Sequence, residues 1–120
     1  MIEKINNWLN PKRVKYPWII SGIFWAAWLF TLVAGKGNTD LAGNLKGTDF
    51  AAFYGAGKII LMGRSAELYS LDLANAMQQA LYGFTATGFN PYLNPPHFAL
   101  FMVPFALLPY LLAYAVWILL

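Results

Sequence analysis

The sequence of 120 residues has no cysteine, and only 11% of its residues are charged. Without cysteine, disulfide-stapled folds, zinc–thiolate sites and thiol nucleophiles are excluded. A typical soluble domain carries about 25% charged residues, so this chain has too few to cover the surface of a small water-soluble domain. Its aromatic content of 18% is far above that of disordered chains. The composition therefore predicts a membrane protein.

A first apolar run, residues 17–35, contains no charged residue. As a helix rising 1.5 Å per residue it covers about 28 Å, close to the ~30 Å hydrocarbon core of a bilayer. Lipid offers the backbone no hydrogen bonds, so the run is expected to form a transmembrane helix. A cleaved signal peptide is the alternative, with Val33, Ala34 and Gly35 as a conceivable cleavage region.

A second apolar run, residues 98–120, has no ionisable side chain and contains Pro104 and Pro109. The prolines predict that its first half is kinked or irregular. The sequence stops within this run without a polar flank, which favours the N-terminal piece of a longer polytopic protein. The expected fold is an all-α membrane protein with two transmembrane helices joined by a loop, residues 36–97, that carries short interfacial helices. These helices are expected to lie on the membrane surface or to pack under other protein.

Basic residues cluster just before the first run. Lys12, Arg13 and Lys15 lie within four positions, whereas the loop mixes four basic with four acidic residues. Cytoplasmic flanks are enriched in Lys and Arg, so segment 1–16 is predicted in the cytoplasm and loop 36–97 outside the plasma membrane. The net charge of +3 follows mostly from this asymmetry and does not indicate a nucleic-acid partner.

Two helices are predicted inside the loop. A hydroxyl side chain can cap each one by accepting from free first-turn amides, and a glycine can end each one in a left-handed conformation. The first helix is predicted over residues 49–62, with Thr48 as its cap and Gly63 as its end. The second is predicted over residues 71–81, with Ser70 as its cap and Gly83 as its end.

Asp49 is the candidate catalytic residue. It lies in the first turn of a predicted helix, 14 positions after the first apolar run, among apolar neighbours. A carboxylate held near the bilayer surface can act as a general base. The alternative is structural, because an acidic residue in a first helical turn also complements the helix dipole.

Further side chains are candidates for substrate contact, with a structural alternative for each. Cations can pair with phosphate or anchor a helix to lipid headgroups, and aromatic rings can contact sugars or lie at the interface. The lone histidine does not make a metal-ligand cluster, so neither a metal nor another cofactor is predicted. The candidates are Tyr54, Lys58, Arg64, Tyr92 and His97.

Two stretches of the chain resemble glycosyltransferase family 87 of the GT-C superfamily. The first runs from Gly47 to Tyr54, as Gly-Thr-Asp-Phe-Ala-Ala-Phe-Tyr, and is followed by Gly57, Gly63 and Leu68-Tyr69. The second is Asn-Pro-Tyr at 90–92 with Pro-Pro at 95–96, followed by Pro-Phe-Ala-Leu-Leu-Pro at 104–109. The likeness covers about residues 17–120, the N-terminal part of a GT-C-type polytopic fold.

The resemblance implies an enzyme that takes a sugar from a polyprenyl-phosphate donor and passes it to a glycan or glycolipid acceptor in the cell envelope. In GT-C enzymes an acidic residue of the first extracytoplasmic loop is the general base, and Asp49 occupies that position. Inverting transfer of a hexose, mannose or a similar sugar, is therefore expected. The alternatives are a two-span interaction subunit without catalytic activity and a fragment of a lipid or sugar transporter.

Overall fold

The computed structural model describes residues 11–83 and 88–120, and every regular element in these ranges is a helix. An isolated bridge between Thr39 and Leu45 is the only extended pairing within them. The all-α prediction is confirmed. Of the predicted cytoplasmic segment 1–16, residues 1–10 lie outside the described part of the chain.

The first helix, α1, spans Pro11–Ala34, so it begins six residues before the predicted span. Its stretch Arg13–Ala34 is the one helix of the described chain whose length and composition suit a membrane span. None of that stretch is buried against the rest of the chain, and the Trp18 side chain is 74% exposed. Apolar side chains on all sides of a helix match lipid as the surrounding medium. A signal sequence near an N-terminus has the same features, so cleavage stays an alternative.

A compact turn, residues 35–47, leads from α1 to the next helix. Asp40 organises it, because its Oδ1 accepts from the amides of Ala42 at 2.9 Å and Asn44 at 3.0 Å. Lys46 Nζ donates to Gly37 O at 2.8 Å. Asn38 Nδ2 donates to Leu81 O at 2.9 Å, which attaches the turn to the helix that spans Leu71–Tyr82.

The second helix, α2, spans Thr48–Leu61, close to the predicted range. The prediction that Thr48 caps it is wrong. Gly47 is the N-cap, with a left-handed φ of 70°, and Thr48 already belongs to the helix, its hydroxyl donating to Leu45 O at 3.4 Å. Gly63 ends α2 as predicted: with φ 72° it donates to Ile60 O in a Schellman motif.

The third helix, α3, spans Leu71–Tyr82 and follows a 3-10 turn at Ser65–Glu67. Its predicted ends are confirmed. Ser70 Oγ accepts from Leu73 N at 3.3 Å, and Gly83 takes a left-handed φ of 72°.

The predicted second span is not one continuous helix. It is divided into α4 (Pro96–Phe101), α5 (Val103–Ala106) and α6 (Tyr110–Leu119). Pro104 and Pro109 explain the breaks, because neither can donate a backbone hydrogen bond to the preceding turn. The ten residues of α6 cover about 15 Å, half of a hydrocarbon core. The irregular first half was predicted; the two-span topology is not confirmed.

α2 is the central helix of the described part, packed against α3, α4 and α5. Most residues of α2 are covered by these neighbours. The position of this helix at the membrane interface stays a prediction. Small residues permit the close contact with α5: a β-carbon on Gly57 would lie 2.8 Å from Met102 O. The buried residues of α2 are Phe50, Ala51, Ala52, Tyr54, Gly55, Ala56, Gly57 and Ile59.

Candidate functional site

Asp49 lies in the first turn of α2 and is exposed. Its Oδ1 accepts a hydrogen bond from Asn90 Nδ2 at 2.7 Å. Among the described residues no donor binds Oδ2, so that oxygen is open to a ligand. The first-turn amides of α2 favour a negative charge at this place. Asp49 is therefore an accessible carboxylate with one oxygen held and the other free.

The backbone of α2 is anchored immediately before Asp49. The hydroxyl of Tyr110, on α6, donates to Lys46 O at 2.6 Å. Gly47 lies against the ring of Tyr114, which leaves no room for a β-carbon, and its positive φ also favours glycine. These contacts fix the direction in which α2 starts and thus the position of its first turn.

Asn90 is held in place by Gln78 of α3. The Asn90 amide donates to Gln78 Oε1 at 2.9 Å, and Gln78 Nε2 donates to Asn90 O. Gln78 is 2% exposed and, tyrosines aside, is the only buried polar side chain in residues 13–83 and 88–120. A buried amide in an apolar surrounding needs such partners to offset its lost hydration.

Tyr54, a predicted substrate contact, lies in the core. Its side chain is 5% exposed, and its hydroxyl donates to Leu108 O at 2.8 Å. Its ring packs edge-on against Tyr110, with centroids 5.2 Å apart. A sugar could reach this ring only if the core opened, so the structure gives Tyr54 a packing role.

The two predicted cations lie toward the other end of α2. Lys58 Nζ is 5.5 Å from the centre of the Tyr54 ring, a cation–π contact. Arg64 is exposed and pairs with Glu67, with Nε donating to Oε1 at 2.7 Å and Nη2 to Oε2. These hydrogen bonds lower the pKa of Glu67 and raise the pKa of Arg64.

Tyr92 lies on the segment that leads into α4, and His97 lies at the start of that helix. Tyr92 is buried, and its hydroxyl donates to Pro95 O at 2.8 Å. Burial raises the pKa of Tyr92, and the neighbouring Tyr69 adds to the effect. His97 is exposed in the first turn of α4. Of these two side chains, only His97 is open to a ligand.

The structure does not gather the predicted residues into one site. Asp49 and Leu61 lie at opposite ends of α2, a rise of about 18 Å at 1.5 Å per residue, and Arg64 follows Leu61 beyond the C-terminal end. Lys58 is about 13 Å along the same axis from Asp49. Asp49 instead forms a site with Asn90 and Gln78. Within residues 11–83 and 88–120 no three His, Asp or Glu side chains are grouped as metal ligands.

Sequence reasoning missed the role of Gln78, although a signal for it exists. Ala74, Met77, Gln78 and Leu81 recur at the three- and four-residue spacing of an apolar helix face. A lone amide on such a face marks a buried polar group that must find partners elsewhere in the fold. The sequence pattern does not say which partners these are.

Comparisons with protein-family models, with curated proteins and with solved structures found no match to this chain.

Proposed function

We propose that the chain is the N-terminal portion of an integral membrane glycosyltransferase, with Asp49 as its general base. The enzyme moves a hexose, such as mannose, from a polyprenyl-phosphate donor to a glycan or glycolipid acceptor outside the cytoplasm. The observation that carries the proposal is the accessible Asp49 carboxylate, with Oδ1 held by Asn90 and Oδ2 open. The resemblance to glycosyltransferase family 87 supplies the donor and acceptor classes.

The position of Asp49 suits a donor with a lipid tail. α1 is long and apolar enough for a membrane, and only the compact turn 35–47 separates its last residue from α2. A sugar on polyprenyl phosphate is confined to the bilayer boundary. The Asp49 carboxylate can reach it there because a short turn connects its helix to the transmembrane helix. The proposal includes that α1 is not cleaved and stays in the membrane as an anchor.

The reaction follows from the chemistry of the three participants. The acceptor hydroxyl gives its proton to Asp49 Oδ2 as its oxygen forms a bond to the anomeric carbon of the donor sugar. The bond from that carbon to the phosphate oxygen breaks, and its electron pair leaves with the polyprenyl phosphate. Attack opposite the leaving group inverts the anomeric configuration. A positioned base contributes typically 10²–10⁴-fold to such a step.

A matched pair of variants tests the proposal. Asp49→Asn in the full-length protein removes the base with almost no change in shape, and Asp72→Asn is the control. Asp72 is also an exposed acid in a first helical turn, that of α3. Transfer of labelled mannose from polyprenyl phosphate should fall by about 10²–10⁴-fold in Asp49→Asn and stay normal in Asp72→Asn. Near-normal transfer by Asp49→Asn contradicts the proposal.

A non-catalytic membrane subunit is the second candidate function. The observation in its favour is the apolar surface of α4–α6, where Leu100, Leu107 and Leu119 are 60%, 69% and 86% exposed. Such a surface can bind another membrane protein. This function does not need the Asp49 carboxylate, so the same pair of variants separates it from the enzyme.

A further inference from the structure

We propose that Gln78 and Asn90 are positioning residues that aim the carboxylate of Asp49. The inference rests on the proposed function and deepens it. Asn90 orients Asp49 directly, and Gln78 acts one step further away by holding the backbone of Asn90. Neither residue touches the reacting atoms in this arrangement.

The first link is the pairing between Gln78 and the backbone of Asn90. The Gln78 amide uses its acceptor on Asn90 N–H, at 2.9 Å, and its donor on Asn90 C=O. A planar amide that bonds both groups of one residue restrains that residue's rotation as well as its position. The amide comes from the middle of α3, a rigid element capped at both ends. Asn90 is consequently fixed although it lies in irregular chain.

The second link is the bond from Asn90 Nδ2 to Asp49 Oδ1. It joins residues 41 positions apart, so the packing of α3 and α4 against α2 brings them together. The bond restricts rotation of the carboxylate, which otherwise turns broadly about its last torsion. It also leaves Oδ2 as the oxygen without a donor among the described residues. A proton from an acceptor hydroxyl therefore goes to one defined atom.

The arrangement predicts a particular kinetic result in the full-length protein. Asn90→Ala removes the donor from Asp49 but keeps the backbone pairing with Gln78. Its kcat should fall by about 10–100-fold, the cost of a misplaced reacting group, with KM for the polyprenyl donor unchanged. Gln78→Met keeps the length of the buried side chain and loses both hydrogen bonds. It should lower kcat in the same way.

Gln79→Met is the control, since Gln79 is the neighbouring glutamine of α3 and donates to Asn75 within that helix. The kcat of Gln79→Met should equal that of the unchanged protein. The two positioning variants act through one contact, so the double variant Gln78→Met/Asn90→Ala should lose no more than the worse single variant. If Gln78 and Asn90 only stabilised the fold, the two single variants would lower the unfolding temperature additively in the double variant. The folded fraction of each variant would then keep the kcat of the unchanged protein.

A second readout does not depend on transfer. In protein labelled with 15N-asparagine, the side-chain amide protons of Asn90 should shift and exchange faster with water in Gln78→Met and in Asp49→Ala, but not in Gln79→Met. Unchanged Asn90 resonances in Gln78→Met overturn the first link. Should Gln78→Met not fold, Asn90→Ala still tests the second link, and Gln78→Leu, which also loses both hydrogen bonds, replaces Gln78→Met as the test of the first.

The outcomes separate this inference from the proposed function. Lost transfer in Asp49→Asn together with a normal kcat in Asn90→Ala overturns the positioning role and leaves the general base in place. Retained transfer in Asp49→Asn overturns both. Lost transfer in Asp49→Asn with reduced kcat in Asn90→Ala and Gln78→Met supports both.

Discussion

Gly57 of α2 lies directly against Met102, at the break that separates α4 from α5. A β-carbon on Gly57 would lie 2.8 Å from Met102 O and 3.0 Å from the β-carbon of Ala106. Backbone can move aside less easily than the end of a flexible side chain. Because Gly57 has no side chain, α2 can approach the backbone of Met102 closely and pack as the central helix of the described chain.

Gly57→Ala should therefore destabilise the protein by about 1–3 kcal/mol, the usual cost of overpacking a core. Gly55→Ala is the matched control, because its β-carbon would meet only the Met77 β-carbon at an ordinary 3.6 Å. Alanine in a helix interior gains up to about 1 kcal/mol over glycine, so Gly55→Ala should be neutral or stabilising. Unfolding of both variants in detergent micelles measures the difference, and equal midpoints contradict the close contact.

Tyr54→Phe tests whether the Tyr54 hydroxyl stabilises the core. The change leaves the half-buried Leu108 O without its donor, which should cost at most the about 1–3 kcal/mol of a buried unpaired group. Tyr69→Phe is the control, since Tyr69 is exposed and its acceptor, Asn94 O, can bind water instead. Urea unfolding should show a lower midpoint for Tyr54→Phe only. A fall in transfer with no change in stability would instead give Tyr54 the substrate contact predicted from the sequence.

Arg64→Gln should raise the pKa of Glu67. In the folded protein the hydrogen bonds from Arg64 lower that pKa. Their contribution to stability is present above the ordinary pKa of Glu67 and is lost as the pH falls through the lowered value. Titration of the Glu67 carboxyl carbon by NMR measures the change. Lys58→Gln is the control, because Lys58 contacts Tyr54 and should leave Glu67 as it was; an equal rise in both variants contradicts the pairing.

The predicted orientation can be tested with single cysteines, because the chain has none of its own. Asn44→Cys, at an exposed position of the turn after α1, should react with a membrane-impermeant maleimide added to intact cells. Asn7→Cys should react only after the cells are opened. The opposite pattern contradicts the orientation. If mass spectrometry shows that the mature protein lacks residue 7, the first apolar run is a cleaved signal sequence instead.

The sequence predicted part of the candidate site. Asp49 is singled out in the sequence by its place among apolar neighbours, 14 positions after the first apolar run, and the structure puts it, exposed, in the first turn of α2. The contacts of Asp49 were not predicted, since Asn90 reaches it through a backbone held by Gln78. Tyr54 shows the reverse case: its residue type suggested a sugar contact, and its packing places it in the core. Residue type defines what a side chain can bind, whereas burial decides whether a ligand can reach it.

Local signals by themselves determined the helical class, the apolar length of α1 and the ends of α3. Ser70 and Gly83 act on amides and carbonyls within one turn, so the neighbouring residues suffice to predict them. The division of the second apolar run also follows from two prolines. Only the tertiary structure decided that α2 is central and that Asn90 meets Asp49. Those contacts join residues far apart in the chain, and they depend on how closely whole helices approach one another.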